Sequence, residues 1–221
     1  MKLHYQQRLS QQCELRGVSL TTIQYERLLQ YLDLLLHWRQ YLNLTGLRDA
    51  ERMLNVLIIE SLDFLAGESM IPTARRVLDL GTGAGVPGIP LAICYPDIPI
   101  TLLDRSAKKI AFLQRVVTAL QLNNCQPHCR TAEEIAQHLP SHEAFDVVVS
   151  RGVGSIAHLM RLTRRLVTAD GYLLLRKPLD TPELQDAKRL CTAGEWHHLA
   201  MVPLPWSTPP PWALISIQRC C

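Results

Sequence analysis

No apolar run in this 221-residue chain approaches the ~18 residues a membrane-spanning helix needs. The N-terminal stretch Met1–Leu15 is polar and glutamine-rich, without the apolar centre of a secretory signal. No segment repeats and no low-complexity linker divides the chain. A soluble, cytoplasmic protein is the expectation, with no membrane partner. Paired metal ligands are lacking too. Seven cysteines are scattered, and only Cys125 and Cys129, with His128 between them, approach a ligand spacing. A structural zinc site needs a second such pair. No metal is expected, and the cysteines read as reduced thiols, Cys220 and Cys221 as exposed ones. Acids are scarce between Arg151 and Lys177, where six basic residues (Arg151, Arg161, Arg164, Arg165, Arg176, Lys177) meet only Asp170. That bias reads equally as a phosphate-facing surface or as a solvated helix face.

Proline is absent before Pro72, and only Gly17 and Gly46 precede Gly67. That N-terminal third reads as helical. In "YERLLQYLDLLLHW", Leu28, Leu32, Leu35 and Leu36 return at helical spacing, and a second helix is predicted over Ala50–Leu65. From Arg75 the pattern changes. Short apolar strands are predicted at Arg76–Gly81, Ile100–Asp104, Phe145–Arg151 and Gly171–Lys177, separated by helical segments such as Ala107–Leu122. That alternation predicts a parallel, doubly wound α/β sheet. Beyond the proline-rich Pro203–Trp212, "ALISI" (Ala213–Ile217) reads as a last strand returning antiparallel at the sheet edge.

The segment "VLDLGTGAGVPGIPLA" (Val77–Ala92) places Gly81, Gly83 and Gly85 at the carboxyl end of the first strand, where such sheets bind ligands. Glycines there let the backbone approach a nucleotide. The helix from about Ile89 is expected to aim its N-terminal amides at the same place. Gly83–Gly88 also satisfies G-x-G-x-x-G, which by itself would fit a nicotinamide-dependent oxidoreductase. Asp79 extends the pattern to D-x-G-x-G-x-G, typical of S-adenosylmethionine-dependent methyltransferases, and Asp104 ends the next strand, where a carboxylate can accept both ribose hydroxyls.

"NLTGLRD" (43–49), "GTGAGVPGIPLA" (81–92), "LLDRSAKKIAFL" (102–113), "AEE" (132–134) and "SRGVGSI" (150–156) follow one another in the order and spacing of one family. Over roughly Leu28 to Lys177 the chain resembles the bacterial guanine-N7 methyltransferases of small-subunit (16S) ribosomal RNA, also called glucose-inhibited division protein B. The resemblance implies a class I S-adenosylmethionine-dependent methyltransferase: a Rossmann-like, mostly parallel seven-stranded sheet with an N-terminal helical cap. Residues 1–70 would be the cap and 71–221 the cofactor-binding core, together one compact unit. S-adenosyl-L-methionine is the implied cofactor. The implied partner is small-subunit ribosomal RNA or the assembled subunit, met by a monomer. Gly81, Gly83 and Gly85 would line the cofactor with Val86 beside it. Asp104 would hold its ribose, and Ala132 and Glu133 would border its adenine. Arg151 would be the catalytic-site arginine near donor and target base, holding a phosphate or the cofactor carboxylate. Lys108, Lys109 and Lys177 would meet RNA phosphate.

The chain also departs from the family. Where members carry R-H-x-x-D-S, it reads Val56-Leu57-Ile58-Ile59-Glu60-Ser61, and the usual K-R and K-G pairs read Lys108-Lys109 and Lys177-Pro178. Pro209–Trp212 stands where a basic residue is expected. Each lost cation removes a charge-assisted contact, with Arg48 and Arg52 as candidate replacements. A divergent methyltransferase acting on another RNA or a small molecule, and a non-catalytic RNA-binding relative, are the alternative readings. Trp38 and Tyr41 read either as core residues or as a stacking face for a base. Trp206 and Trp212 read as loop anchors.

Overall fold

The structure is a computed structural model that describes residues 2–65, 70–192, 194, 196–207 and 211–220. Cys221 and Pro209–Pro210 of the proline-rich stretch lie outside them.

Seven strands carry the architecture: β1 (Val77–Leu80), β2 (Ile100–Asp104), β3 (Cys125–Cys129), β4 (Phe145–Ser150), β5 (Val167–Pro178), β6 (Trp196–Leu204) and β7 (Trp212–Arg219). They form one sheet in the order β3-β2-β1-β4-β5-β7-β6. β1 to β5 pair in parallel, and β7 runs antiparallel to both β5 and β6. The last strand is therefore antiparallel as expected but not at the edge. It lies between β5 and β6, and β6 is the edge strand. The reason is visible in its burial, since Ala213–Ile217 is buried throughout, which an outermost strand does not achieve.

Side chains alternate across the pleat. Val77, Ile100, Leu102, Val147 and Val149 enter one core, and Leu78, Leu80, Leu103, Val148 and Leu173 enter the other. The first core is shared with α1 (Lys2–Leu15), α2 (Thr22–Trp38), α4 (Gly88–Cys94) and α5 (Ala107–Ala119). The second is covered by α6 (Ala132–His138), α7 (Ile156–Thr163) and α8 (Glu183–Thr192). Thr21 starts α2 with a capping box to Gln24, satisfying two otherwise orphaned amides. Leu28, Leu32 and Leu35 of α2 are at most 1% exposed, and burying each contributes ~1.5–3 kcal/mol.

The predicted helix over Ala50–Leu65 is helical but not one α-helix. α3 (Ala50–Met53) passes into a π-helical turn (Leu54–Ile58) and then a 3₁₀ segment (Ile59–Leu65). In a 3₁₀ helix residues three apart eclipse one another. Glu60 and Asp63 therefore stack on one side, and both meet the Arg176 guanidinium from β5.

Candidate functional site

The chain leaves β1 through Gly81, Gly83 and Gly85, all at positive φ (71°, 61° and 103°), a region that favours glycine. Two carboxylates fix this turn. Asp79, fully buried, accepts from the Thr82 hydroxyl at 2.7 Å and the Gly88 amide at 2.8 Å through Oδ2. Its Oδ1 is buried without a partner among the described residues, and burial pushes its pKa up to about 6. Asp104, at the end of β2, accepts from the Gly83 amide at 3.0 Å and the Ser106 amide at 2.9 Å, with Lys109 Nζ 3.4 Å away. The first amide of α4 is thus turned to Asp79 rather than to open space, and every residue of α4 is buried. The expected helix N-terminus at the ligand site is not α4's. The helix that starts at the cavity described below is α6, where Thr131 forms a capping box with Glu134.

A cavity of about 570 Å³ opens at the carboxyl ends of β1, β2 and β4, lined among others by Gly81, Asp104, Lys109, Ala132, Glu133 and Arg151. Gly81 faces Val153, and a Cβ there would lie 2.4 Å from Val153 Cγ2. Arg151 is mostly buried. Its guanidinium donates to the Val56 carbonyl of the π turn and lies 3.6 Å from Glu60 Oε2. The same oxygen meets Arg176 at 3.2 Å. Burial pushes Arg151 below the ordinary guanidinium value and Glu60 above the ordinary carboxylate value. The opposite charges counter this, Glu60 for Arg151, and Arg176 then Arg151 for Glu60. Behind this pair, Asp63 accepts from Arg16 Nε at 2.8 Å, Trp206 Nε1 at 2.8 Å and Arg176 Nε at 2.6 Å. Arg176 also lies over the Trp212 ring at 4.2 Å.

Gly81, Asp104, Lys109, Ala132, Glu133 and Arg151 thus share one cavity. Gly83 stands behind it as the donor to Asp104. Gly85 and Val86 turn inward: a Cβ on Gly85 would meet Ile89, Leu113 and Tyr31, and Val86 belongs to the core. Lys108 lines a neighbouring groove with Tyr41 and Ser106. The Lys177 ammonium is engaged internally, 2.8 Å from the Gly154 carbonyl and 2.9 Å from Glu183, and so ties down the loop that follows Arg151. The basic stretch 151–177 divides. Arg161, Arg164 and Arg165 are exposed at the end of α7, whereas Arg151 and Arg176 point into the ion network. Arg48 and Arg52 are exposed, and the guanidinium that shares Glu60 with Arg151 is that of Arg176. Among the described residues no group of three or more His, Cys, Asp or Glu could hold a metal, and no helix is long and apolar enough to cross a membrane.

Sequence reasoning gave Asp63 and Arg16 no role, met Glu60 only as part of the altered Val56–Ser61 stretch, and read Arg176 as part of a basic surface rather than as the partner of Glu60 and Asp63. The available signal was two acids in "IIESLDFL", where Ser61 is the one other polar residue, since acids so placed are rarely buried unless paired.

The family model for rRNA small subunit methyltransferase G matches residues 24–205. The chain is 37% identical over 192 residues to the ribosomal RNA small subunit methyltransferase G of Lachnoclostridium phytofermentans, covering 86% of this chain and 79% of that one. To the protein of the same name from Methylobacillus flagellatus it is 38% identical over 172 residues, covering 78% and 80%. Among solved structures, the StiE O-MT fragment 961–1257 superposes with a TM-score of 0.57 at 15% identity, covering 84% of this chain and 81% of that one. The fibrillarin pre-rRNA processing protein of Methanococcus jannaschii gives 0.52 at 16% identity, covering 66% and 67%. At such identities these likenesses concern the fold.

Proposed function

Because the chain belongs to the rRNA small subunit methyltransferase G family, we propose that it transfers a methyl group from S-adenosyl-L-methionine to N7 of a guanine in small-subunit ribosomal RNA. The observation that carries this reading is the grouping of Gly81, Asp104, Ala132, Glu133 and Arg151 around one cavity at the carboxyl ends of the parallel strands. The residues present suit such a cofactor. Gly81, at positive φ on the cavity wall, brings bare backbone to the space a cofactor would fill. Asp104 keeps a carboxylate at the cavity wall, oriented in advance by two backbone amides.

Bound S-adenosylmethionine supplies an electrophilic methyl group on a sulfonium. The protein's own work is then placement. Asp104 would accept the ribose hydroxyls, and Ala132 and Glu133, in the first turn of α6, would border the adenine. Arg151 would hold a phosphate or the cofactor carboxylate. Guanine N7 has a free lone pair and no proton to lose, so the site needs no general base. Holding the reactants in line can contribute ~7–11 kcal/mol. Positive charge moves toward the base during transfer. Glu60 beside Arg151 offsets the guanidinium charge, so the site does not oppose that movement.

The test is incubation with labelled S-adenosylmethionine and small subunits lacking the N7 mark, followed by digestion and mass spectrometry for 7-methylguanosine. Stoichiometric methylation of one guanine is expected. Cofactor binding without transfer to any RNA would overturn the enzymatic reading.

A further inference from the structure

The groove that Lys108 lines adjoins the site, and the cofactor reading leaves it unused. It measures about 320 Å³ and is walled by Tyr41, Asn43, Ser106, Lys108 and Lys109, with no acidic side chain among its lining residues. Lys109 lines this groove and the cofactor cavity alike, so the two adjoin. At its rim stands a cluster of rings from the end of α2. His37 lies 5.7 Å from Trp38 and 5.7 Å from Tyr41, and Trp38 lies 6.0 Å from Tyr41.

The cluster is braced from behind and bare in front. Trp38 packs on Phe112 of α5, and the Arg115 guanidinium lies 5.0 Å from its ring centre. The amides of Tyr41 and Leu42 both donate to the Trp38 carbonyl, which fixes the turn that presents the Tyr41 ring. Tyr41 is 66% exposed, so burial gives no reason for an aromatic residue there. Exposed Arg39 stands on the same turn, its guanidinium donating to the carbonyl of exposed Arg48 in the connection to α3. An exposed, braced aromatic face beside lysines suits an unstacked base and its phosphate. A duplex hides its base faces and could not use it.

We propose that this shelf binds one single-stranded nucleotide of the RNA substrate next to the modified guanine, its base stacked on Tyr41 and its phosphate on Lys108. The proposal rests on the RNA methyltransferase reading and deepens it. Lys109, between the two cavities, is placed to meet the phosphate that joins the flanking nucleotide to the target.

The experiment uses the full chain, a short single-stranded RNA carrying 2-aminopurine, the same RNA as a duplex, and small ribosomal subunits. Wild type and Tyr41→Phe are expected to quench 2-aminopurine in the single strand and to prefer it over the duplex. Tyr41→Ala is expected to lose the quenching, bind the single strand about five- to a hundred-fold more weakly, and raise KM for subunits more than it lowers kcat. S-adenosylmethionine affinity of Tyr41→Ala should equal that of wild type, since the ring lies outside the cofactor cavity. Lys108→Gln should lower the slope of log affinity against log salt by about 0.7. Equal affinity of Tyr41→Ala and wild type for the single strand, or no preference for single strand over duplex, would overturn the shelf while leaving methylation of subunits intact. Tyr41-dependent binding with no methylation of any subunit would instead sink the functional reading and keep the shelf.

Discussion

The hydroxyl of Tyr31 donates a 2.7 Å hydrogen bond to the carbonyl of Ala84, so a helix of the N-terminal third holds the glycine turn of the sheet. Both partners are buried, and burial pushes the Tyr31 phenol far above its usual value, so it remains a donor at any working pH. Tyr31→Phe keeps the ring and leaves the Ala84 carbonyl unsatisfied. The expected cost is ~1–3 kcal/mol in urea unfolding, with weaker binding of S-adenosylmethionine because the loosened turn also carries the Gly83 amide. Unchanged stability and affinity would mean that α2 covers the turn without supporting it.

Two glycines of the turn are predicted to differ in what substitution does. At Gly88 an added Cβ would stand 2.2 Å from Leu102 Cδ2 and 2.7 Å from Asp79 Oδ2, because the start of α4 packs directly on β1 and β2. Gly88→Ala should therefore lose ~1–3 kcal/mol by overpacking. At Gly83 the space is open, and the only penalty is its left-handed backbone, ~1–2 kcal/mol for an ordinary residue. Gly83→Ala is expected to unfold at the higher urea concentration of the two yet bind cofactor less well, because relief of its left-handed strain shifts the amide that holds Asp104. The reverse order in the unfolding curves would contradict this packing account.

How much of this was legible in the sequence follows from the range of the interactions. The glycine turn, Asp104 and the strands β1, β2 and β4 are local patterns, and a short apolar run ending in glycines carries its own signal, whereas β3 (Cys125–Cys129), polar and half-exposed, carries no such run and was not predicted. The position of β7 is not local. Ala213–Ile217 reads the same whether it lies at the edge or between β5 and β6, and only its burial decides. The ion network is less local still, joining Asp63 to residues 47, 113 and 143 positions away in sequence. Nothing in the spacing of Arg16, Arg176 and Trp206 announces a common partner. The resemblance drew attention to Val56 and Leu57, but nothing in the sequence announced that the Val56 carbonyl and Glu60 would face Arg151.

Asp79 gives a pH dependence of defined sign. Its carboxyl has an ordinary value of 3.8 and is pushed up to about 6, chiefly by burial, with the Thr82 and Gly88 hydrogen bonds opposing. The folded protein then holds this proton more tightly than the unfolded chain does. The contribution is fully present below pH 3.8 and is lost as pH rises through about 6, a swing on the order of 3 kcal/mol. Asp79→Asn, which cannot titrate, should lack that slope. The stability of wild type relative to Asp79→Asn, from urea unfolding at intervals between pH 4 and 7, should therefore fall with rising pH. A difference independent of pH would show that Asp79 is already ionised in the folded protein at the acid end of the range.

Asp63 is the residue whose loss the fold should tolerate least. It is fully buried between two guanidinium groups whose side chains are themselves 3% and 4% exposed, Arg16 and Arg176. Two charges in such surroundings depend on the carboxylate, and removing one partner of a buried pair costs ~3–5 kcal/mol. Asp63→Ala is therefore expected to lose at least that much or to fail to fold. Asp63→Asn keeps the shape and one acceptor oxygen and should fall between Asp63→Ala and wild type. Arg16→Met is the companion variant, since it removes one cation and leaves the carboxylate to Arg176 and Trp206. Combined with Asp63→Asn it should show a coupling of ~0.5–3 kcal/mol. Because Arg176 also meets Glu60, which faces Arg151, Asp63→Asn should weaken methyl transfer beyond its effect on the folded fraction. Transfer that scales only with the amount of folded protein would confine Asp63 to stability and break the proposed link to Arg151.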